Sequence, residues 1–173
     1  KEAWPYFESR LGLDEFRLKN DFINNTINKL WRGGKLNIKE KILIIKEQGV
    51  GDEILYSSMY PDFLKKYSDV KIETDPRLIS LFKRSFKKND VFVPYSEFSK
   101  NKNKLKEFNK IIYAGSLGRL FRNSLNEFPR KEFLKVDKNN FLKIQKVINN
   151  LNLKGKIGIS WRSKNETYGV DKS

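Results

Sequence analysis

Short aliphatic runs that alternate with helix-like stretches constrain the fold of this 173-residue chain more than any other feature. The run from Ile42 to Ile45 is wholly aliphatic and has a lysine on either side, which is typical of a parallel strand buried on both faces. Further strands are predicted at 70–74, 90–93, 110–113 and 156–161. Because strands that alternate with helices favour right-handed crossovers, we predict an α/β fold with a parallel sheet and helices on both faces.

The stretches between the strands carry their own start and stop signals. A helix is predicted from Asp52 to about residue 66, and Pro61 inside it should kink it or split it in two. Asp75 and Pro76 should open the next helix, because proline is favoured in a first turn. The remaining predictions are a helix at 1–11, a polar helix or loop at 96–108, and a helix at 139–151.

The composition removes several classes of site. The chain has no cysteine, which excludes disulfides, thiolate zinc sites and cysteine nucleophiles. It has no histidine, which excludes histidine-based triads and removes the commonest metal ligand. Acid–base chemistry would therefore fall to Asp, Glu, Lys or Tyr. The longest aliphatic run is far shorter than the roughly 20 residues that span a bilayer, so we predict no transmembrane segment.

The charge is strongly positive, because 36 Lys and Arg residues stand against 21 Asp and Glu, a net charge of +15. The cations are spread over several predicted elements and are interrupted by acids. Such a surface attracts phosphate groups of any kind, in nucleic acid, a nucleotide or an anionic lipid. A solvated surface is the simpler interpretation for most of these lysines, and we predict no specific nucleic-acid partner.

The loop after the first strand is the most informative stretch, because parallel sheets bind ligands at the carboxyl ends of their strands. Its residues are Glu47-Gln48-Gly49-Val50-Gly51-Asp52. The two glycines would let the backbone approach a ligand, and the helix that follows would point its amides into the same space. A dinucleotide fingerprint needs a third small residue where this chain has Ile54, although Glu73 stands where a ribose-binding acid would. A nicotinamide enzyme is therefore a poor fit, and a P-loop is excluded.

Asp52 has two interpretations. It could be the N-cap of the helix, with a carboxylate that accepts hydrogen bonds from free amides. It could also be a carboxylate base at the mouth of the sheet. The two roles conflict in part, because the positive end of a helix stabilises the ionised carboxylate and weakens it as a base.

Two other loops at strand ends carry polar and cationic side chains. Ser116 and Arg119 follow the fourth strand, and Arg119 could face an anion together with Arg122, or both could face solvent. The loop of the fifth strand holds candidates for phosphate binding and base stacking, namely Ser160, Trp161, Arg162 and Lys164. The alternative there is a core tryptophan followed by a polar turn.

Several motifs occur in a characteristic order. They are Leu30-Trp31 with Gly33-Gly34, the loop at 47–54, Pro76 with Leu78, the stretch 115–122 followed by Phe128-Pro129, and the stretch 158–161. In this order they resemble the glycosyltransferase domain of bacterial tetratricopeptide-repeat proteins, which is similar to the heptosyltransferases and the O-linked N-acetylglucosamine transferases. The aromatic segment from Trp4 to Arg10 resembles the stretch just after the repeats, so the resemblance covers nearly the whole chain.

The resemblance implies a GT-B glycosyltransferase, built of two Rossmann-like domains that hold the acceptor and the nucleotide-sugar donor. It implies inverting, metal-independent transfer of a hexosyl or heptosyl group, without a cofactor, and Asp52 as the catalytic base. The substrate-binding residues it implies are Gln48, Gly49, Gly51, Ser116 and Arg119. The residues it implies for the donor phosphate are Ser160, Trp161, Arg162 and Lys164.

The resemblance also implies partners and a location. The partners are a nucleotide sugar, an acceptor that is a glycan, a lipid or a protein, and upstream repeats that bind a protein. The location is cytoplasmic, either free or peripheral at the inner face of the membrane.

The domain organisation follows from the same resemblance. Residues 1–36 would be a connecting segment, 37–137 the Rossmann-like acceptor-side domain, and 138–173 a linker helix with the first strand of a truncated donor-binding domain. We expect the fragment to be inactive by itself, because most of the donor site would follow residue 173. The alternatives from other classes are a basic polyanion-binding module and a catalytically dead interaction domain.

Overall fold

A parallel sheet organises the structure, a computed structural model that describes residues 2–12, 27–47, 49–99 and 102–151. Its strands are β1 (Ile42–Ile45), β2 (Val70–Thr74), β3 (Phe92–Pro94) and β4 (Lys110–Tyr113), in the order β3-β2-β1-β4. Ile44 of β1 pairs with Ile72 on one side and Ile112 on the other. All four residues of β1 are buried, as expected for a strand covered on both faces. The predicted fold class is confirmed.

Helices connect and flank the strands. Within the described residues they are α1 (Ala3–Glu8), α2 (Val50–Ser57), α3 (Tyr60–Lys66), α4 (Pro76–Phe86), α5 (Ser96–Ser99), α6 (Gly118–Phe121) and α7 (Lys138–Asn150). Short 3-10 segments occur at Ser9–Gly12, Ile27–Lys29, Lys102–Glu107, Ala114–Leu117 and Leu125–Glu127. The predicted helix at 52–66 is split in two, because Pro61 takes a position in the first turn of α3, where a backbone N–H is not needed.

Two apolar clusters cover the two faces of the sheet. Ile42 and Ile44 belong to one cluster and Leu43 and Ile45 to the other, because successive strand residues point to opposite faces. The first cluster is rich in buried aromatic rings, among them Tyr60, Phe63, Phe82 and Phe92. The second contains Phe98, Leu105 and Phe108. The stretch at 96–108, predicted as a polar helix or loop, therefore supplies core residues despite its many charges.

Strand β3 begins two residues later than predicted and includes Pro94, which pairs with Thr74. Proline fits there because β3 is an edge strand of the described sheet. The backbone N–H groups on its outer side have no neighbouring strand to donate to, so a residue without an N–H is tolerated. The strand predicted at 156–161 lies outside the described residues.

The chain divides into two compact units, Lys1–Val136 and Asp137–Ser173. In the second unit the predicted helix is confirmed as α7, and the Asp137 carboxylate caps it by accepting a hydrogen bond from the Asn140 N–H at 2.9 Å. Several apolar side chains of α7 are exposed, namely Phe141, Leu142, Ile144 and Val147. Among the described residues no helix has the length and apolar character to cross a membrane. The roles predicted for 1–36, 37–137 and 138–173 stay predictions.

Candidate functional site

The strand order places a topological switch point between β1 and β4. The chain leaves β1 toward β2 on one side and returns beside β1 on the other side as β4. In open parallel sheets, ligands bind in the crevice that such a reversal opens at the carboxyl ends of the strands. Here that crevice lies between the residues after β1, including Glu47, and the 3-10 segment Ala114–Leu117 after β4.

The glycine loop leads into α2 and places Asp52 in its first turn. Gly49 is the N-cap residue with an extended backbone, and Asp52 is the third helical residue. The Asp52 carboxylate reaches back and accepts a hydrogen bond from the Gly49 N–H at 3.3 Å. Asp52 is therefore not the N-cap residue. Its side chain still caps the helix, but from the third helical position. Asp52 stays partly exposed, and a Cβ on Gly51 would meet open space, so the loop can be approached.

Glu47 lies fully buried in the switch-point crevice and is paired with a cation. Its carboxylate accepts hydrogen bonds from Arg10 Nε at 2.8 Å and Arg10 Nη2 at 2.9 Å, and also from the Gly115 N–H. Arg10 Nη1 donates to Glu8 Oε1 at 3.0 Å. Burial alone would lower the pKa of Arg10, but its hydrogen bonds and charge attraction to Glu47 and Glu8 outweigh burial and raise the pKa.

The segment at 3–12 contributes more than Arg10 to this edge of the sheet. The indole ring of Trp4 packs on Gly118, and its Nε1–H donates to the Arg122 carbonyl at 2.8 Å. Ser116, predicted to bind substrate, is only 1% exposed, and its hydroxyl donates to Glu8 Oε2 at 3.0 Å. The N-terminal segment thus covers the crevice in which a ligand was expected.

Arg119 and Arg122, which could have faced either a common anion or solvent, each have separate partners within the chain. Arg119 Nη1 donates to the Arg32 carbonyl at 3.0 Å, and its guanidinium lies over the Trp31 ring. Arg122 is buried and donates to Asp62 Oδ2 at 2.8 Å and to the Ser58 carbonyl at 2.7 Å. Arg122 therefore ties α6 to the junction of α2 and α3, while Arg119 holds the glycine turn at 32–34.

Glu53 and Glu73 are two buried carboxyl groups near the carboxyl edge of the sheet, and the sequence analysis did not predict that they interact. Glu53 is 0% exposed and accepts a hydrogen bond from the Asp75 N–H at 2.9 Å. Burial raises the pKa of Glu53 to about 7 and the pKa of Glu73 to about 8. The ammonium of Lys46 lies 4.0 Å from Glu53 and opposes both shifts. A signal for Glu53 was its helical spacing to Ser57 and Tyr60, which are also buried.

The start of α4 agrees with its sequence signal. Asp75 is the N-cap residue, and its carboxylate accepts from the Arg77 N–H at 3.0 Å and from Arg77 Nε at 2.9 Å. These hydrogen bonds from Arg77 lower the pKa of Asp75 to about 2.

Gln48, Ser160, Trp161, Arg162 and Lys164 lie outside the described residues, and their roles stay predictions.

Comparison with known proteins gives a partial similarity and does not show a family. No model of a protein family matches the chain, and no solved structure matches it. The chain is similar to Protein FlbA from Caulobacter vibrioides, with 30% identity over 96 residues that cover 52% of this chain and 15% of that protein. The chain thus matches a small part of that relative.

Proposed function

We propose that this chain is the acceptor-side portion of an inverting, metal-independent glycosyltransferase that uses a nucleotide-sugar donor. The observation that carries the proposal is the position of Asp52. Its carboxylate lies in the first turn of α2, directly after the glycine loop of the central strand, and remains partly exposed. This is the place that the resemblance gives to the catalytic base.

The neighbouring carboxylates fit this role less well than Asp52. Glu47 is buried and accepts hydrogen bonds from Nε and Nη2 of Arg10. Glu53 is buried and turned toward the Asp75 amide. Glu73 is 5% exposed within the sheet. Because a base must reach the proton it removes, the accessible Asp52 is the best candidate among these four.

The proposed reaction needs a base on one side and charge stabilisation on the other. Asp52 would take the proton of the acceptor hydroxyl while that oxygen forms a bond to the anomeric carbon of the donor. The bond from this carbon to the diphosphate oxygen breaks at the same time, so the configuration at the anomeric carbon inverts and the nucleoside diphosphate leaves. Ser160, Arg162 and Lys164 would stabilise the leaving phosphates, and Trp161 would stack on the donor.

A test compares Asp52→Asn with Asp69→Asn in the full-length protein, using a panel of nucleotide sugars and candidate acceptors. Asp69 is an exposed aspartate just before β2, at the opposite edge of the sheet. Loss of a general base should reduce turnover by roughly 10²–10⁴-fold, whereas Asp69→Asn should leave it near normal. Donor affinity should change little in either variant. Normal turnover by Asp52→Asn would disprove the assignment of the base.

A catalytically dead interaction domain is the second candidate, and one observation favours it. The crevice at the switch point is filled by Arg10 and covered by α1, so the expected ligand position is occupied by the chain itself. In that case the biological function of the full-length protein would survive Asp52→Asn. The same variant therefore separates the two candidates.

A further inference from the structure

The Arg10 guanidinium is the best-satisfied charged group of the switch-point crevice. All three of its nitrogens donate. Nε and Nη2 bind Glu47, Nη2 also reaches Ser116 Oγ at 3.2 Å, and Nη1 binds Glu8 and the Phe7 carbonyl. The Phe7 ring lies 4.1 Å from the guanidinium carbon. A forked, planar cation matches this set of acceptors, whereas an ammonium would satisfy fewer of them.

The sheet side of the crevice is shaped around this cation. A Cβ on Gly115 would lie 2.8 Å from Arg10 Nη2 and 2.9 Å from Glu47 Oε1. Glycine therefore provides the space that the ion pair occupies. The Glu47 side chain is 0% exposed, so without a cation its charge would be buried and uncompensated.

The rest of the N-terminal segment is attached weakly. None of the residues in α1 or in Ser9–Gly12 is buried, and a six-residue helix has little stability of its own. Apart from the Arg10 and Glu8 bonds, the segment is attached by the packing of Trp4 on Gly118, by the bond from Trp4 to Arg122, and by Leu11, which packs partly buried against the second apolar cluster. Segments with few buried contacts open locally at low free-energy cost.

We propose that the switch-point crevice is a guanidinium-binding site that the chain fills with its own Arg10, and that residues 3–12 are a strap that lifts away when this guanidinium leaves. Opening would expose Glu47 and Ser116 at the carboxyl edge of the sheet. This proposal does not depend on the glycosyltransferase assignment. Under that assignment the strap would control access to Ser116.

The absence of cysteine allows a direct test in the full chain. A single thiol at Ser116→Cys reports strap opening through its rate of reaction with a maleimide. Ser124→Cys is an exposed reference. Ser85→Cys reports unfolding of the sheet domain, because Ser85 is a buried residue of α4 whose hydroxyl accepts a hydrogen bond from the Lys135 N–H. We expect slow labelling at 116 with Arg10 present, and labelling about 100-fold faster with Arg10→Ala, while labelling at 85 stays slow.

Chemical rescue then tests the specificity of the site. Millimolar methylguanidinium should slow labelling of the Arg10→Ala, Ser116→Cys chain, and methylammonium at the same ionic strength should not. Arg10→Lys should give an intermediate rate and serves as the test chain if Arg10→Ala does not fold. The strap would be overturned if Arg10→Ala accelerated maleimide labelling equally at positions 85 and 116. It would also be overturned if position 116 were labelled as fast as position 124 with Arg10 present. Equal effects of the two cations would overturn the guanidinium site.

Discussion

The indole ring of Trp4 lies directly against Gly118, so closely that a Cβ at position 118 would fall 2.0 Å from a ring carbon. The two residues stand 114 positions apart and join the N-terminal segment to the first residue of α6. Gly118 has an ordinary helical backbone, with φ of −55° and ψ of −37°. Glycine is needed there for space and not for backbone conformation.

Gly118→Ala should therefore destabilise the domain by about 1–3 kcal/mol through overpacking. Urea denaturation of the variant measures this cost. In a Trp4→Ala background the same change should become neutral or stabilising, because alanine favours a helix over glycine by up to about 1 kcal/mol. Equal destabilisation in both backgrounds would show that the indole does not set the cost.

The buried acids Glu53 and Glu73 should make the domain less stable as the pH rises. The pKa of each is higher in the folded chain than its ordinary value of 4.5, so the folded state binds more protons than the unfolded state. Stability is then fully present below pH 4.5 and is lost as the pH rises toward about 7 for Glu53 and about 8 for Glu73. The loss for Glu53 is up to about 3 kcal/mol.

Urea midpoints measured between pH 5 and pH 8 test this dependence. Glu53→Gln keeps an oxygen for the Asp75 amide but cannot ionise, so its stability should fall less steeply over this range. Glu73→Gln should reduce the loss of stability mainly at the upper end of this pH range. Glu132→Gln, at an exposed position, is the matched control and should follow the unchanged chain. A steep fall that survives in both buried variants would assign the pH dependence elsewhere.

The sequence predicted the elements that depend on local pattern. Strands β2 and β4 fall at the predicted residues, and the effects of Pro61 and Asp75 were foreseen, because proline and N-cap chemistry act within a few residues. The Arg10–Glu47 pair was not foreseen, since it joins residues 37 positions apart through the packed fold. Glu53 was missed because a glutamate in an amphipathic helix usually faces solvent.

Arg122 and Arg119 should differ sharply in their contribution to stability, although they lie only three residues apart. Arg122→Ala removes the hydrogen bonds that the buried Arg122 guanidinium donates to the half-exposed Asp62 carboxylate and to the Ser58 carbonyl, and such bonds to charged groups are worth about 1.5–3 kcal/mol. Arg119→Ala removes one bond and a ring contact at a partly exposed position and should cost about 1 kcal/mol. Chemical denaturation of both variants under one condition decides this, and equal losses would contradict the assigned contacts.

The capping and catalytic roles of Asp52 should separate in two substitutions. Asp52→Asn keeps an oxygen that can accept from the Gly49 N–H, so the free energy of unfolding should stay within about 0.5 kcal/mol. Asp52→Ala loses this bond and should cost about 0.5–1 kcal/mol. If Asp52 is the base, both variants of the full-length protein should lose roughly 10²–10⁴-fold in turnover, because neither can take a proton. Activity that follows stability, with Asp52→Asn near normal and Asp52→Ala reduced, would leave Asp52 as a cap alone.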